Sequence, residues 1–194
     1  MKLIKTTLIA LTVSVAGFSA SATADINWDY IEGGYVHNEI SDTNIDQDGF
    51  SLGYSASIKN DFFSRANYDF VSGDVSGVDI DFSLLNAGFG YKKSIDRKTD
   101  VFALASLENI DVEGNGGSID GTGYSAGAGT RFQLTDSLEL NGELGYIKIK
   151  DLDISDLYYT VGLTYEHSHQ YSFAFEFRAF EDVNFTSMSF RYAY

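Results

Sequence analysis

Charged side chains recur at every second position of several extended segments, a spacing that could assemble ion pairs. Glu139 and Glu143 share one face of such a segment, and Glu176 and Arg178 share one face of another. Opposite charges that meet in a narrow interior pair with one another and fill it with hydrogen bonds. Nine residues are predicted to form such a lumenal network: Glu32, Arg65, Asp69, Arg131, Glu139, Glu143, Glu176, Arg178 and Arg191.

A second set of charged residues is entirely acidic and falls between the extended segments. Fifteen Asp or Glu residues and no Lys or Arg occur within residues 38–48, 72–82, 110–122, 151–156 and 181–184. Their oxygen atoms suit a hard cation such as Ca²⁺ or Mg²⁺, although charged, glycine-rich loops also stay soluble without a metal. No cofactor is predicted; a loosely bound Ca²⁺ or Mg²⁺ is the alternative, with Asp46, Asp48, Asp151, Asp153 and Asp156 as its candidate ligands.

The segments that position these residues are recognised by the alternation of apolar and polar side chains. In residues 185–194, bulky apolar groups occupy one face, while Arg191 and serines occupy the other. A membrane-spanning β-barrel needs this pattern, because one face of each strand meets lipid and the other a polar lumen. Nine further segments alternate in the same way. We therefore predict an all-β, closed antiparallel transmembrane barrel of ten strands, with eight as the alternative if the first or fifth segment is irregular.

A soluble β-sandwich also alternates, but its apolar faces should be rich in Val, Ile and Leu throughout. Here aromatic residues collect toward the two ends of the apolar faces, with Ala, Leu or Val near the middle. One rim holds Phe50, Tyr68, Phe70, Tyr124, Tyr146 and Tyr159, and the other holds Tyr91, Phe132, Tyr165, Tyr171 and Tyr194. Two aromatic girdles indicate two lipid–water interfaces and favour the barrel.

The first segment, near residues 26–37, has an ambiguous face. Its bulky residues do not share one parity: Trp28, Tyr30, Ile31 and Tyr35. We place Glu32 inward and both Ile31 and Tyr35 outward. A β-bulge at Gly33-Gly34 would reconcile the remaining residues with that choice.

The first 24 residues have the features of a secretory signal peptide. Lys2 and Lys5 precede an apolar stretch from Leu8 to Phe18, and Ala22-Thr23-Ala24 fits a cleavage site. The mature domain would then be residues 25–194. Removing the two lysines from 13 basic residues leaves 11 against 28 acidic ones, a formal charge of −17. This charge argues against nucleic acid as a partner. Zero proline fits a barrel, which has only internal strands.

The connections between segments alternate in character, which predicts an orientation. Three connections are tight turns, at Asn60-Asp61, Thr135-Asp136 and His167 to Gln170, and Ser94 to Thr99 is somewhat longer. The acidic connections are on the whole longer. Short turns belong to the periplasm and longer loops to the outside, so both termini should be periplasmic. Lys148 and Lys150 then fall at the outer rim, where they could contact lipid A phosphates unless the strand has already ended.

Only three histidines are available for acid–base chemistry. His167 and His169 flank Ser168, but they lie in a predicted periplasmic turn without access to the outer leaflet. A lipase there would need Ser, His and a carboxylate together at the lipid-facing rim. His37 lies close to Glu39, yet a lone histidine beside acids is far more often a surface residue. The sequence thus indicates a protein that is not an enzyme.

Several stretches resemble small porin-like outer-membrane β-barrel proteins of Gram-negative bacteria, a family that includes a plant-pathogen protein once proposed as a quorum-sensing signal and immune elicitor. The similar stretches are Asp29–Val36, Leu85–Tyr91, Thr99–Ala103 and Gly123–Gly129 with Arg131-Phe132. The resemblance covers essentially the whole mature chain. It implies the barrel fold and an outer-membrane location, and it carries over no catalytic residue.

The sequence therefore predicts a small, monomeric, non-enzymatic outer-membrane barrel that acts in surface interaction or envelope integrity through acidic external loops. The alternative function is a narrow porin-like channel for small solutes. Expected partners are outer-membrane lipid and lipopolysaccharide, together with the barrel-assembly machinery, which would read the C-terminal strand.

Overall fold

The computed structural model describes residues 26–40, 45–59, 61–75, 78–114, 117–180 and 182–194. Ten strands follow one another: β1 (Tyr30–Ile40), β2 (Ile45–Lys59), β3 (Phe62–Val75), β4 (Val78–Ser94), β5 (Thr99–Gly114), β6 (Gly117–Thr135), β7 (Leu138–Ile149), β8 (Ile154–Glu166), β9 (Tyr171–Phe180) and β10 (Val183–Ala193). Each strand pairs antiparallel with its chain neighbours, and β10 closes onto β1. The ten-stranded barrel is confirmed, and the eight-stranded alternative is wrong. The predicted signal peptide lies outside the described residues.

The middle of the barrel presents its apolar side chains outward, as the alternation predicts. Leu107 is 73% exposed, Phe89 71% and Leu144 61%. Such exposure is costly in water but suits a surface that lies against acyl chains. No helix long and apolar enough to cross a membrane occurs among the residues that the structure describes.

The bulge predicted at Gly33-Gly34 is wrong. Strand β1 keeps one continuous register from Tyr30 to Ile40 against both β10 and β2. Glu32 points inward, with Ile31 and Tyr35 outward, as expected, but Tyr30 also points inward and is buried. The mixed parity of the bulky residues has a simple cause: the interior is partly apolar, so aromatic residues belong on both faces. Register shifts occur instead near the last residues of β2 and β6, at the end of the barrel that holds the termini.

The acidic ranges predicted as longer loops are mostly strand. At the end of the barrel opposite the termini, four residues separate β1 from β2 and also β7 from β8. Two residues separate β3 from β4, β5 from β6 and β9 from β10. The connections at the terminal end have two to four residues as well, so the expected difference in length is wrong. Strand β6 has 19 residues, whereas about 9–11 residues cross a bilayer. The strands therefore project past the membrane.

We call this projection the collar. It begins beyond the aromatic rim of Phe50, Phe70, Tyr124, Tyr146 and Tyr159 and comprises the described residues within 37–48, 71–83, 109–122, 147–157 and 179–186. In the collar the polarity of the two faces is reversed. Strand β5 shows the change: its outward face passes from Leu107 to Asp111 and Glu113, while Ile110 and Val112 turn inward. Water outside and an apolar core inside are the conditions of a soluble β-structure.

The interior consequently has three layers. At the terminal end, Trp28, Phe63, Phe102 and Leu104 form a lower apolar layer. At the collar end, an upper apolar layer contains Val36, Val71, Leu84, Ile110, Ile147, Ile149, Tyr158, Phe180 and Phe185. Eight of the ten strands contribute to this upper layer. Arg65, Glu143 and Arg178 lie between the two layers, whereas Arg131 and Glu139 lie beside the lower one, and this arrangement positions the candidate site.

Candidate functional site

All nine residues predicted for the lumenal network point into the barrel, where the structure groups them around four arginines. Arg65 pairs with Glu143 at 2.7 Å and Arg191 with Glu32 at 2.9 Å. Arg178 contacts both Asp69, at 3.5 Å, and Glu176, at 3.1 Å. Arg131 pairs with Glu139 at 2.7 Å. The network is thus a set of local ion pairs at different heights rather than one continuous chain.

Arg131 ties the network to the lower apolar layer. Its guanidinium binds both carboxylate oxygens of Glu139, at 2.7 and 2.9 Å, and also donates to the Asn27 carbonyl at 2.8 Å. It lies 4.6 Å from the ring centre of Trp28. The indole Nε1 of Trp28 in turn donates to Asp100 Oδ2 at 2.7 Å. This bidentate geometry restrains the residues that precede β1 against the wall of the barrel.

Tyr158 is a member of the network that the sequence prediction missed. Its hydroxyl donates to Glu143 Oε1, the carboxylate that also accepts from Arg65. The signal was present, because Tyr158 has the inward parity of Thr160 and Thr164 on β8. We missed it because aromatic residues were expected only on the lipid-facing side.

Glu108 is a buried carboxylate that lacks an arginine, as is Asp100, which accepts hydrogen bonds from Trp28 and Ser94 instead. Glu108 is 6% exposed, accepts a hydrogen bond from Ser125, and forms no ion pair with any described residue. Carboxylates outnumber guanidinium groups in the described interior: Glu32, Asp69, Asp100, Glu108, Glu139, Glu143 and Glu176 lie there with Arg65, Arg131, Arg178 and Arg191. A buried charge without a partner destabilises the fold.

Glu108→Gln is therefore expected to stabilise the barrel by about 1–3 kcal/mol, because the amide keeps an acceptor for Ser125 while the buried charge disappears. Urea unfolding in lipid vesicles at pH 8 measures the change. Glu143→Gln is the matched control, and it should be destabilising because Arg65 loses its partner. Equal destabilisation by both substitutions would contradict our account of Glu108.

The interior leaves little free space between its apolar layers. Cavities among the charged residues have volumes of about 30, 60 and 40 Å³, enough for one or a few water molecules each. Larger cavities of about 240 and 530 Å³ lie at the terminal end, the first lined in part by Tyr30 and His169 and the second by Lys92 and Asp96. The small volumes between the apolar layers fit a filled lumen better than a solute pathway.

On the collar surface, Asp48 accepts two hydrogen bonds from β1. The Tyr35 hydroxyl donates to Asp48 Oδ1, and His37 Nδ1 lies 2.8 Å from the same oxygen. The hydrogen bond from Tyr35 lowers the pKa of Asp48 most, and the hydrogen bond from His37 lowers it further. Asp48 lies in the collar, outside the membrane. The partner of His37 is thus Asp48 across the strand pair rather than Glu39. No serine completes a catalytic group with them among the hydrogen bonds of the described residues.

The aspartates predicted to bind a divalent cation lie on two separate hairpins. Asp46 and Asp48 are on the outward face of β2. Asp151 accepts hydrogen bonds from the backbone and hydroxyl of Thr122, and Asp153 has a left-handed backbone, φ 53°. Across the described ranges, no three His, Asp or Glu side chains converge on a metal position. A divalent cation at these aspartates stays a prediction.

The two lysines predicted to contact lipid A lie at the collar end of β7. Lys148 is still within the strand, pairing with Tyr124 of β6 and Ser155 of β8, so the alternative that the strand has ended there is wrong. Lys150 lies just past the strand end, exposed, and its backbone N–H donates to the Thr122 carbonyl at 3.0 Å.

His167 and His169 lie in the turn between β8 and β9, at the terminal end. The Ser168 hydroxyl there accepts hydrogen bonds from the backbone N–H groups of Gln170 and Tyr171. It is occupied in shaping the turn, and this gives no support to a nucleophilic role.

The sequence matches the family model described as outer membrane protein beta-barrel domain over residues 10–194. No curated protein gives a significant match. Among solved structures, Ail, the attachment invasion locus protein of Yersinia pestis, is 16% identical, with 87% of this chain and 100% of that chain covered and a TM-score of 0.43. Neisserial surface protein A is 15% identical over 85% of this chain and 96% of that one, with a TM-score of 0.44. The KdgM porin is 13% identical over 85% of this chain and 99% of that one, with a TM-score of 0.45.

The match to the family spans nearly the whole sequence, and it agrees with a closed antiparallel barrel whose membrane-facing side is apolar. The predicted location in the outer membrane is confirmed. The chain belongs to the outer membrane protein beta-barrel domain family.

Proposed function

We propose that this protein is a non-enzymatic surface protein that presents an acidic face of its collar to positively charged macromolecules outside the cell. The acidic face consists of nine carboxylates on the outward side of β1 to β6: Glu39, Asp46, Asp48, Asp74, Asp79, Asp81, Asp111, Glu113 and Asp120. The collar stretches of these six strands contain no Lys or Arg.

The observation that carries this proposal is the strand register, which sets carboxylates directly opposite each other. Four such pairs exist: Glu39 with Asp46, Asp74 with Asp79, Asp81 with Glu113, and Asp111 with Asp120. Like charges directly opposite in an antiparallel pair destabilise it. Solubility alone could be met by scattered charges, whereas repeated facing pairs concentrate a negative potential that a cationic partner would relieve.

Removing one member of three of these pairs is expected to weaken binding of a cationic probe. We predict that Asp79→Asn, Asp81→Asn and Asp120→Asn together reduce the affinity for a labelled octalysine peptide roughly tenfold at low salt, at about 0.5 kcal/mol per charge. Fluorescence anisotropy with the protein in phosphatidylcholine nanodiscs measures this affinity. Binding should also fall steeply as salt is added, because exposed charges are screened.

The matched control changes the same number of charges at the terminal end. Asp61→Asn, Asp96→Asn and Asp136→Asn should leave octalysine binding nearly unchanged. The collar variant should unfold no earlier than the wild type, since it relieves repulsion within three strand pairs. If both triple variants lost affinity equally, only net charge would matter, and the acidic face would not be a binding surface.

The alternative function, a narrow channel, has less support. The upper apolar layer receives side chains from eight strands, and Val36, Val71 and Ile149 within it are at most 1% exposed. A hydrated solute would have to displace this layer. Conduction is therefore not part of the proposed function.

A further inference from the structure

The β7–β8 side of the collar differs from the acidic face, because it carries the basic residues of that end. Of the 13 Lys and Arg residues in the sequence, Lys148 and Lys150 fall within the collar ranges. Lys148 has the outward parity of Leu144 and Tyr146. It is the next outward residue after Tyr146 and lies directly opposite Tyr124 on β6, so it sits at the outer edge of the aromatic rim.

Both ammonium groups are available, although three aspartates lie in the same hairpin. Within the described part of the chain, neither lysine forms an ion pair with a carboxylate. Asp151 is engaged by Thr122 of the neighbouring strand, and Asp156 accepts from the Leu157 backbone N–H. Two of the three local acids therefore hydrogen-bond elsewhere, and Asp153 forms no ion pair with either lysine.

We propose that Lys148 and Lys150 bind the phosphates of lipid A in the outer leaflet. A lysine at the outer edge of an aromatic rim extends its ammonium to the level of lipid headgroups while its methylenes stay against apolar surface. Carboxylates on β1 to β6 repel the same phosphates, so the lipid contact is confined to one side of the barrel. This site is separate from the acidic face, and either proposal can fail without the other.

The experiment measures binding of diphosphoryl lipid A to the detergent-solubilised protein by native mass spectrometry. Each lysine beside an anionic lipid surface is expected to change the dissociation constant about five- to sixfold. Lys148→Gln with Lys150→Gln is expected to weaken binding about 10- to 30-fold. The double arginine variant, Lys148→Arg with Lys150→Arg, should retain it.

The control is Lys93→Gln with Lys98→Gln, which removes the same charge at the terminal end and should leave lipid A binding unchanged. Lipid A without its phosphates should bind the wild type as weakly as diphosphoryl lipid A binds the Lys148→Gln, Lys150→Gln variant. The proposal is overturned if the two glutamine variants lose equal affinity, if dephosphorylation has no effect, or if phosphatidylglycerol binds as tightly as lipid A. A heat-sensitive shift in gel mobility verifies that every variant is folded.

Discussion

Replacing Arg131 with Met is expected to cost the barrel about 3–5 kcal/mol of its free energy of unfolding. The substitution leaves Glu139, which is 1% exposed, as a buried charge without its partner. It also removes the hydrogen bond to the Asn27 carbonyl and the contact with the Trp28 ring. Urea unfolding of the protein in lipid vesicles, followed by tryptophan fluorescence, measures the loss, and Trp28, the single tryptophan, reports directly on this region.

The double variant Arg131→Met with Glu139→Leu separates the two parts of this loss. Replacing both partners of a buried pair with apolar groups removes the uncompensated charge, so the double variant should be more stable than the single one. If the single variant lost less than about 1 kcal/mol, the Arg131–Glu139 pair would not be the structural tie that we describe. If the double variant were the less stable, packing of the long side chains would matter more than charge.

Phe63→Ala should destabilise the barrel by a similar amount, about 3–5 kcal/mol. Phe63 is fully buried, with its ring centre 4.4 Å from that of Trp28 and 6.0 Å from that of Phe102. A Cβ on Gly90 would lie 2.3 Å from this ring, so the glycine makes room for it. Truncation leaves a cavity that neighbours on a closed wall of strands fill only in part. Unfolding in urea measures the effect.

Phe62 provides a control of the same residue type at the adjacent position. It points outward and is 55% exposed, with its ring edge-on to Tyr91, so Phe62→Ala removes lipid contact and one aromatic contact but leaves no buried cavity and should cost clearly less. Planar-bilayer recordings add a second test. The wild type and Phe63→Ala should both lack stable openings, because Val36, Leu84 and Ile110 of the upper apolar layer are unchanged. Porin-sized openings in the wild type would contradict the layered interior.

The strands and their lipid-facing sides could be predicted because the bilayer imposes a simple rule. A residue in the membrane-spanning part is apolar if it points out, so the parity of Leu107 or Phe89 follows from its neighbours. The same rule places the charges of that part inside, which is why the nine residues predicted for the network lie in the lumen. Their partners could not be identified in this way. Arg65 and Glu143 are 78 residues apart, and which inward side chains meet across the lumen depends on how the strands are staggered around the barrel.

The collar escaped prediction because the rule reverses where the strands leave the lipid. Asp79 and Asp81 alternate with Ile80 and Phe82 as regularly as any segment in the membrane, but with the acids outward. If outward residues are expected to be apolar, such a stretch is interpreted as a loop. The same assumption of a polar lumen led to the bulge proposed in β1 and hid Tyr158. In each case the alternation was recognised, but the surroundings of each face, whether lipid, water or the barrel interior, were assigned wrongly.

Because the upper apolar layer gives the collar a core of its own, the part of this protein that stands in water has a fixed shape. An antibody raised against the folded protein would meet paired strands whose side chains are held in register, and it would recognise a conformational epitope assembled from several hairpins. Short peptides with the sequences of those hairpins would carry the same side chains without their fixed three-dimensional arrangement. Heat denaturation should erase such recognition even though every residue remains.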